Sequence, residues 1–289
     1  MYFSYICCQN KLTPKCQWVI IGINSIMRRF LIILSAVVLV AFSSCTKVTE
    51  GTITQKDFGN PGNYTALEIS NAFEAYVSDD ASVITVTAGE NVMPYVVVEN
   101  VNNTLKIYLK TMAIVNITEL KVVLPYNADL TSIALSGASE FHSGRGLSGK
   151  DLNIEISGAS ELNCDLEATD NLKMVISGAS EIESDITANE LDLELSGASE
   201  AELIGEVSLL KLTLSGASKI VKKVIESQYA LSCEVCEGTM SGASEAYIHC
   251  DGNIKVDLSG ASILHFTGDA FTGDSEVNGG SQIIHDVLN

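Results

Sequence analysis

The tetrapeptide Ser-Gly-Ala-Ser occurs seven times in the second half of this chain, beginning at Ser136, Ser157, Ser177, Ser196, Ser215, Ser241 and Ser259. A degenerate Asn-Gly-Gly-Ser follows at Asn278, and successive spacings are 21, 20, 19, 19, 26, 18 and 19 residues. A unit of this size cannot bury an apolar face alone and must stack on its neighbours. The period therefore points to a solenoid and away from a compact closed fold.

Each repeat reads as two strands around a corner. Ahead of the corner, apolar residues alternate with polar ones, as in Leu152, Ile154, Ile156 and in Leu191, Leu193, Leu195. A period of two marks a half-buried strand. After the corner the inward set continues through Leu162, Cys164 and Leu166, or through Ala246, Ile248 and Cys250. The predicted fold class is all-β: a right-handed parallel β-helix, or solenoid, of roughly 20-residue coils, each adding about 4.8 Å along the axis. Its hand follows the preference of parallel crossovers. Gly137, Gly158, Gly178, Gly197, Gly216, Gly242 and Gly260 supply permissive dihedrals at the corners, and Ala is small enough for a tight bend. The flanking serines satisfy backbone groups or pair with their copies in adjacent coils. These serines are structural corner residues, and no residue is assigned a catalytic, cofactor-binding or metal-binding role.

Residues 63–130 are also strand-rich, with turn material such as Ala88-Gly89-Glu90-Asn91 between the runs. The segment Ile69-Ser70-Asn71-Ala72-Phe73-Glu74 is similar to the corner at Ser196, so coil geometry can begin this early. An open stack of strands needs its end covered. The expected organisation is a β-rich N-terminal subdomain at 63–130 that continues or caps the coil, and a repeat body at 131–289.

Ahead of both lies an export leader. From Met27 the chain carries Arg28 and Arg29, an apolar run from Phe30 to Phe42, then Ser43 and Ser44 before Cys45. That order is secretory, and the run is too short for a comfortable membrane span. It resembles a bacterial lipoprotein signal, which implies Cys45 as the lipid anchor and the membrane as a partner; an uncleaved N-terminal anchor is the alternative. Residues 1–26 precede a complete signal, so translation is expected to start at Met27. Residues 1–44 then form the leader, with the lipoprotein signal at 27–44, and 45–62 a tether.

Removing the leader leaves 13 basic residues against 36 acidic ones, with Arg145 the only arginine. Such a chain is unsuited to nucleic acid, where affinity comes largely from Lys and Arg on phosphates. The position after each tetrapeptide forms a column of Glu140, Glu161, Glu181, Glu200, Lys219, Glu245 and Ile263. It reads as a solvated face or, alternatively, as oxygen ligands for a cation such as Ca2+; no cofactor is predicted. Cys233-Glu234-Val235-Cys236 lies in the long repeat, and outside the cytoplasm Cys233 and Cys236 form a candidate disulfide. The four cysteines of the repeat body allow three full pairings. The same 26-residue repeat is the clear departure from regularity, and its Lys222, Lys223 and Tyr229 make a candidate binding patch.

Leader, β-rich first half and Ser-Gly-Ala-Ser coils together resemble the auto-transporter adhesin family with a head GIN domain, from Tyr64 to the C-terminus. The resemblance implies a pectin-lyase-like β-helix without catalytic groups, in a Bacteroidetes outer-membrane lipoprotein, and a role in cell adhesion. The expected function is non-enzymatic: an envelope protein, on the cell surface or the periplasmic face, presenting a β-helical surface to a host glycan or matrix protein. A carbohydrate-active or glycan-binding β-helix protein and a periplasmic scaffold are the alternatives.

Overall fold

Along Glu181–Leu195, exposed and buried residues alternate without a break from Glu181 to Ala188, as a half-buried strand requires. A computed structural model describes residues 51–110 and 117–288, all within one compact unit, residues 48–289. The leader, the start at Met27 and the Cys45 anchor lie outside the described residues.

The protein is all-β. Its first half supplies β1 (Ile53–Gly59), β2 (Ala66–Ile69), β3 (Glu74–Ser78), β4 (Ile84–Gly89), β5 (Val96–Val101), β6 (Thr104–Leu109) and β7 (Leu120–Pro125). The repeats begin with β8 (Ser132–Leu135), β9 (Glu140–His142), β10 (Leu147–Ile156), β11 (Glu161–Asn163) and β12 (Leu166–Ile176). They continue with β13 (Glu181–Leu195), β14 (Glu200–Leu214), β15 (Lys219–Ile220), β16 (Val224–Ile225), β17 (Gln228–Tyr229) and β18 (Leu231–Met240). The last three strands are β19 (Glu245–Leu258), β20 (Ile263–Thr267) and β21 (Gln282–His285). All except β16 and β17 join one mixed sheet of 19 strands among the described residues.

Within the repeats the sheet is parallel, and each strand pairs with its counterpart one repeat later. Ile156 faces Ile176, Ile176 faces Leu195, Leu195 faces Leu214, Leu214 faces Met240 and Met240 faces Leu258. Because every step advances by one repeat, inward side chains stack in buried apolar columns. The same ladder runs back into the first half. There β2 pairs in parallel with β8, and β3 with β9. Between β2 and β3, Asn71 and Ala72 adopt positive φ, making Ser70-Asn71-Ala72-Phe73 a corner without the motif. One more parallel layer follows, β6 on β2 and β7 on β3.

Beyond that layer the sheet turns antiparallel: β5 on β6, β4 on β7, and β1 on β4. The boundary expected at 130/131 falls between β7 and β8, inside a single sheet whose parallel pairing extends to both sides of it. β1, in the stretch expected to be a tether, is an edge strand with mostly exposed side chains and an irregular register at Asp57/Gly59.

The corners explain why glycine recurs. Gly178 has φ +82°, and a Cβ built there would lie 2.4 Å from the carbonyl oxygen of Gly158. That oxygen accepts a bond from the Ala179 N–H at 2.7 Å, so backbone stacks directly on backbone. The alanine side chain faces solvent and the second serine is buried. Ser180 Oγ donates to the Ser177 carbonyl at 2.8 Å, and Ser139, Ser160, Ser199, Ser244 and Ser262 make the same bond. Ser199 and Ser218 also reach carbonyls of the preceding repeat, Ile176 and Leu195, at 3.3 Å each.

Candidate functional site

The ladder pairs Ala201 with Ile220 and Gly205 with Leu231. Between those pairs one repeat spends three residues, 202–204, and the next spends ten, 221–230. The extra residues form the antiparallel hairpin β16–β17. Its turn residues Glu226 and Ser227 both have positive φ, 48° and 66°, as a two-residue primed turn demands. Val224 and Ile225 are 45% and 42% exposed on its outgoing strand.

At the base of the hairpin Tyr229 is fully buried. Its ring meets Tyr247 edge-on at 5.2 Å, and Tyr247 stacks on His265 at 4.5 Å with the planes 11° apart. Tyr247 and His265 are in-register partners on β19 and β20, so the ladder itself builds the stack. Two carboxylates hold the polar edges. The Tyr229 hydroxyl donates to Asp286, and His265 Nδ1 lies 2.8 Å from the same carboxylate. The Tyr247 hydroxyl donates to Glu245 at 2.5 Å, and Lys219 pairs with Glu245 at 3.1 Å. Lys222 Nζ sits over both tyrosine rings, 5.7 and 5.6 Å from their centroids.

Burial, reinforced by Glu245, pushes the Tyr247 hydroxyl up to about 12. Burial also raises the Tyr229 hydroxyl, with Asp286 adding to the effect. Burial acts upward on Glu245 and Asp286 as well. Hydrogen bonds from Tyr247 and Lys219 to the first, and from Tyr229 and His265 to the second, leave both below the usual carboxylate range. At neutral pH the phenols keep their protons and the carboxylates are charged. Such groups hold and orient; they are poorly matched to proton abstraction at neutral pH.

Lys222 and Tyr229 of the sequence-predicted patch therefore meet here, with Tyr229 as a buried support and not a contact residue. Lys223 leaves the group: its amine pairs with Glu202, at a hollow of about 200 Å³ that Glu183 and Asp185 also line. Tyr247 and Asp286 escaped the sequence reading, and Glu245 entered it only as a member of the glutamate column, although Tyr247 and His265 are spaced by one repeat. The glutamate column forms in register through Glu140, Glu161, Glu181 and Glu200. Burial, then the charges of Glu161 and Glu200, raise the Glu181 carboxyl. Among the described residues no group of three or more His, Cys, Asp or Glu is placed to hold a metal ion.

Cys164, Cys233, Cys236 and Cys250 are buried and reduced in this structure, both members of the candidate disulfide among them. In the ladder Cys233 faces Val207 and Cys250, whereas Cys236 faces Leu210 and Ile254. Among the described residues no helix is long and apolar enough to cross a membrane.

Residues 63–270 match the family model described as "Putative auto-transporter adhesin, head GIN domain". The chain belongs to this family. In this adhesin-family member the matched stretch takes in β2 to β20, with the seven Ser-Gly-Ala-Ser corners and the hairpin. Solved structures share its fold. A "putative adhesin" from Parabacteroides merdae has a TM-score of 0.67 at 16% identity, covering 83% of this chain and 99% of its own. A second "putative adhesin", from Parabacteroides distasonis, gives 0.68 at 19% identity over 83% and 98%. A "putative lipid binding protein" from Parabacteroides distasonis gives 0.69 at 19% over 83% and 100%. At such identities the likeness is one of fold alone. Among curated proteins none matches.

Proposed function

We propose that this protein is a non-enzymatic envelope adhesin, held to the outer membrane by a lipid on Cys45, whose repeats wind as a right-handed parallel β-helix. The helical winding is supported by parallel pairing that advances one repeat at every step and by the positive-φ glycine at each corner. Membership of an adhesin family and the secretory order of residues 27–45 support the location.

The observation that carries the reading is the β16–β17 hairpin. It lifts the exposed Val224 and Ile225 off the parallel ladder, and Lys222 lies beside it over an aromatic base. Apolar side chains beside a cation and tyrosine rings make a contact surface for a host glycan or matrix protein. Protease shaving of intact cells, with a cleavable tag placed after Asn289, tests the orientation. Loss of the tag from intact cells is the expected result. Loss only after permeabilisation would remove the adhesin and leave a periplasmic scaffold.

A further inference from the structure

The repeat that carries the hairpin also carries thiols that the contact surface does not use. Cys233 on β18 and Cys250 on β19 are in-register neighbours on parallel strands. Adjacent strands lie about 4.8 Å apart, within the Cα separation that a disulfide spans. Both residues are buried, at 4% and 0% exposure, and their thiols interact with each other. Each also donates to a carbonyl on the other strand: Cys233 to His249 at 3.5 Å, Cys250 to Glu234 at 3.4 Å. Immediately after the pair the register slips, with Glu234 alone standing opposite Asp251 and Gly252. A bulge of this kind bends the strand beside the pair. Cys236 also neighbours Cys233, but its partners across the ladder are the apolar Leu210 and Ile254.

We propose that Cys233 and Cys250 are joined by a disulfide between adjacent repeats once the chain is exported, stapling the strand that leaves the hairpin to its neighbour. The proposal rests on the envelope location given above. A protein disulfide of the oxidising compartment is the oxidant. One cysteine thiolate attacks it and displaces a thiolate, and the second cysteine then attacks the mixed disulfide. The pair loses two protons and two electrons, and the oxidant leaves as a dithiol. In the finished fold the Cys236 thiol and burial raise the Cys233 thiol, against a smaller opposite effect of Cys250, and the Cys233 thiol and burial raise Cys250, so both stay protonated. Exchange needs a thiolate, so the bond forms before the repeat closes and is shielded afterwards.

The test uses the full chain made in cells with its own leader. It is denatured in a first alkylating reagent without reductant, then reduced, labelled with a heavier second reagent and digested. Cys233 and Cys250 are expected to carry the second label, and Cys164 and Cys236 the first. Cys250→Ser returns Cys233 to the first label, whereas Cys236→Ser leaves the pair intact. Envelope-fraction protein with all four residues first-labelled, or with Cys233 joined to Cys236, overturns the proposal. Recovery of the chain only from the cytosol means that the export reading has failed instead. The same chain unfolded and refolded in a glutathione redox buffer then decides the pairing: a Cys233–Cys250 link upholds it, and free thiols at both positions overturn it.

Discussion

Gly178→Ala adds one methyl group and meets two separate costs. The backbone stands at φ +82°, and the new Cβ would press on the Gly158 carbonyl that the Ala179 N–H already uses. Gly59 has a similar φ, +81°, with nothing within 4 Å of its missing Cβ, so Gly59→Ala isolates the conformational cost. Urea unfolding should show a loss of about 1 kcal/mol for Gly59→Ala and of about 3 kcal/mol or more for Gly178→Ala. Equal losses would mean that stacking at the corner is not what selects glycine. The glutamate column gives a prediction in pH. Glu181 is raised in the folded chain by burial and by Glu161 and Glu200, so its ionisation opposes folding. A carboxyl whose folded pKa is raised lowers stability as pH climbs from its unfolded value through its folded one, and the penalty persists above. Glu181→Gln should therefore raise the melting temperature at pH 7, with a gain that shrinks below about pH 4 and in high salt. A gain equal at pH 3 and pH 7 would contradict the charge account. Glycine's role was legible from the repeat alone. That the second serine is the buried one was not, because the two serines look alike until the strand direction fixes which of them points inward.

The hairpin is an addition to the ladder, not part of it. Deleting residues 222–228 restores the spacing of the preceding repeat and leaves Tyr229 to follow Val221. Because the parallel pairs on either side are unaffected by the insertion, strand content by circular dichroism should be retained and binding of the proposed ligand lost. Collapse of the fold on deletion would show that the hairpin is structural. The 26-residue spacing located this insertion in the sequence, but not what it builds. Lys222 and Lys223 are adjacent, yet one turns to the tyrosine rings and the other to Glu202, a divergence that no composition or period encodes. Asp286 joins the cluster only because β21 stacks one layer beyond β20, past the degenerate Asn-Gly-Gly-Ser. The Cys-x-x-Cys spacing drew attention to Cys236, whereas the ladder sets Cys233 beside Cys250. Opposite Glu234 the next repeat spends two residues, Asp251 and Gly252, and this slip sets Cys233 opposite Cys250.

Across the whole molecule the two ends differ. Antiparallel strands β1, β4 and β5 close one end, whereas at the other β21 pairs with β20 alone among the strands and residues 268–281 form short bridges and turns. Stability in such a stack is a sum of neighbour contacts, so it should fall toward the less covered end. Hydrogen exchange is expected to be fastest at the amides of β21 and slowest in β12 to β14; uniform protection would contradict a stack of nearest-neighbour units. The period-two alternation and the 20-residue repeat made the all-β class and the stacking of corners readable. The antiparallel closure was not readable, because an alternating strand looks the same whichever direction its neighbour runs. The central claim is that this molecule makes contact outside the cell through its hairpin. Adherence of bacteria to matrix-coated surfaces measures it, comparing the wild type, a strain lacking the gene, and that strain carrying Val224→Ser with Ile225→Ser. The account predicts reduced adherence in both the deletion and the hairpin variant at unchanged protein level; adherence equal to wild type in both would contradict it.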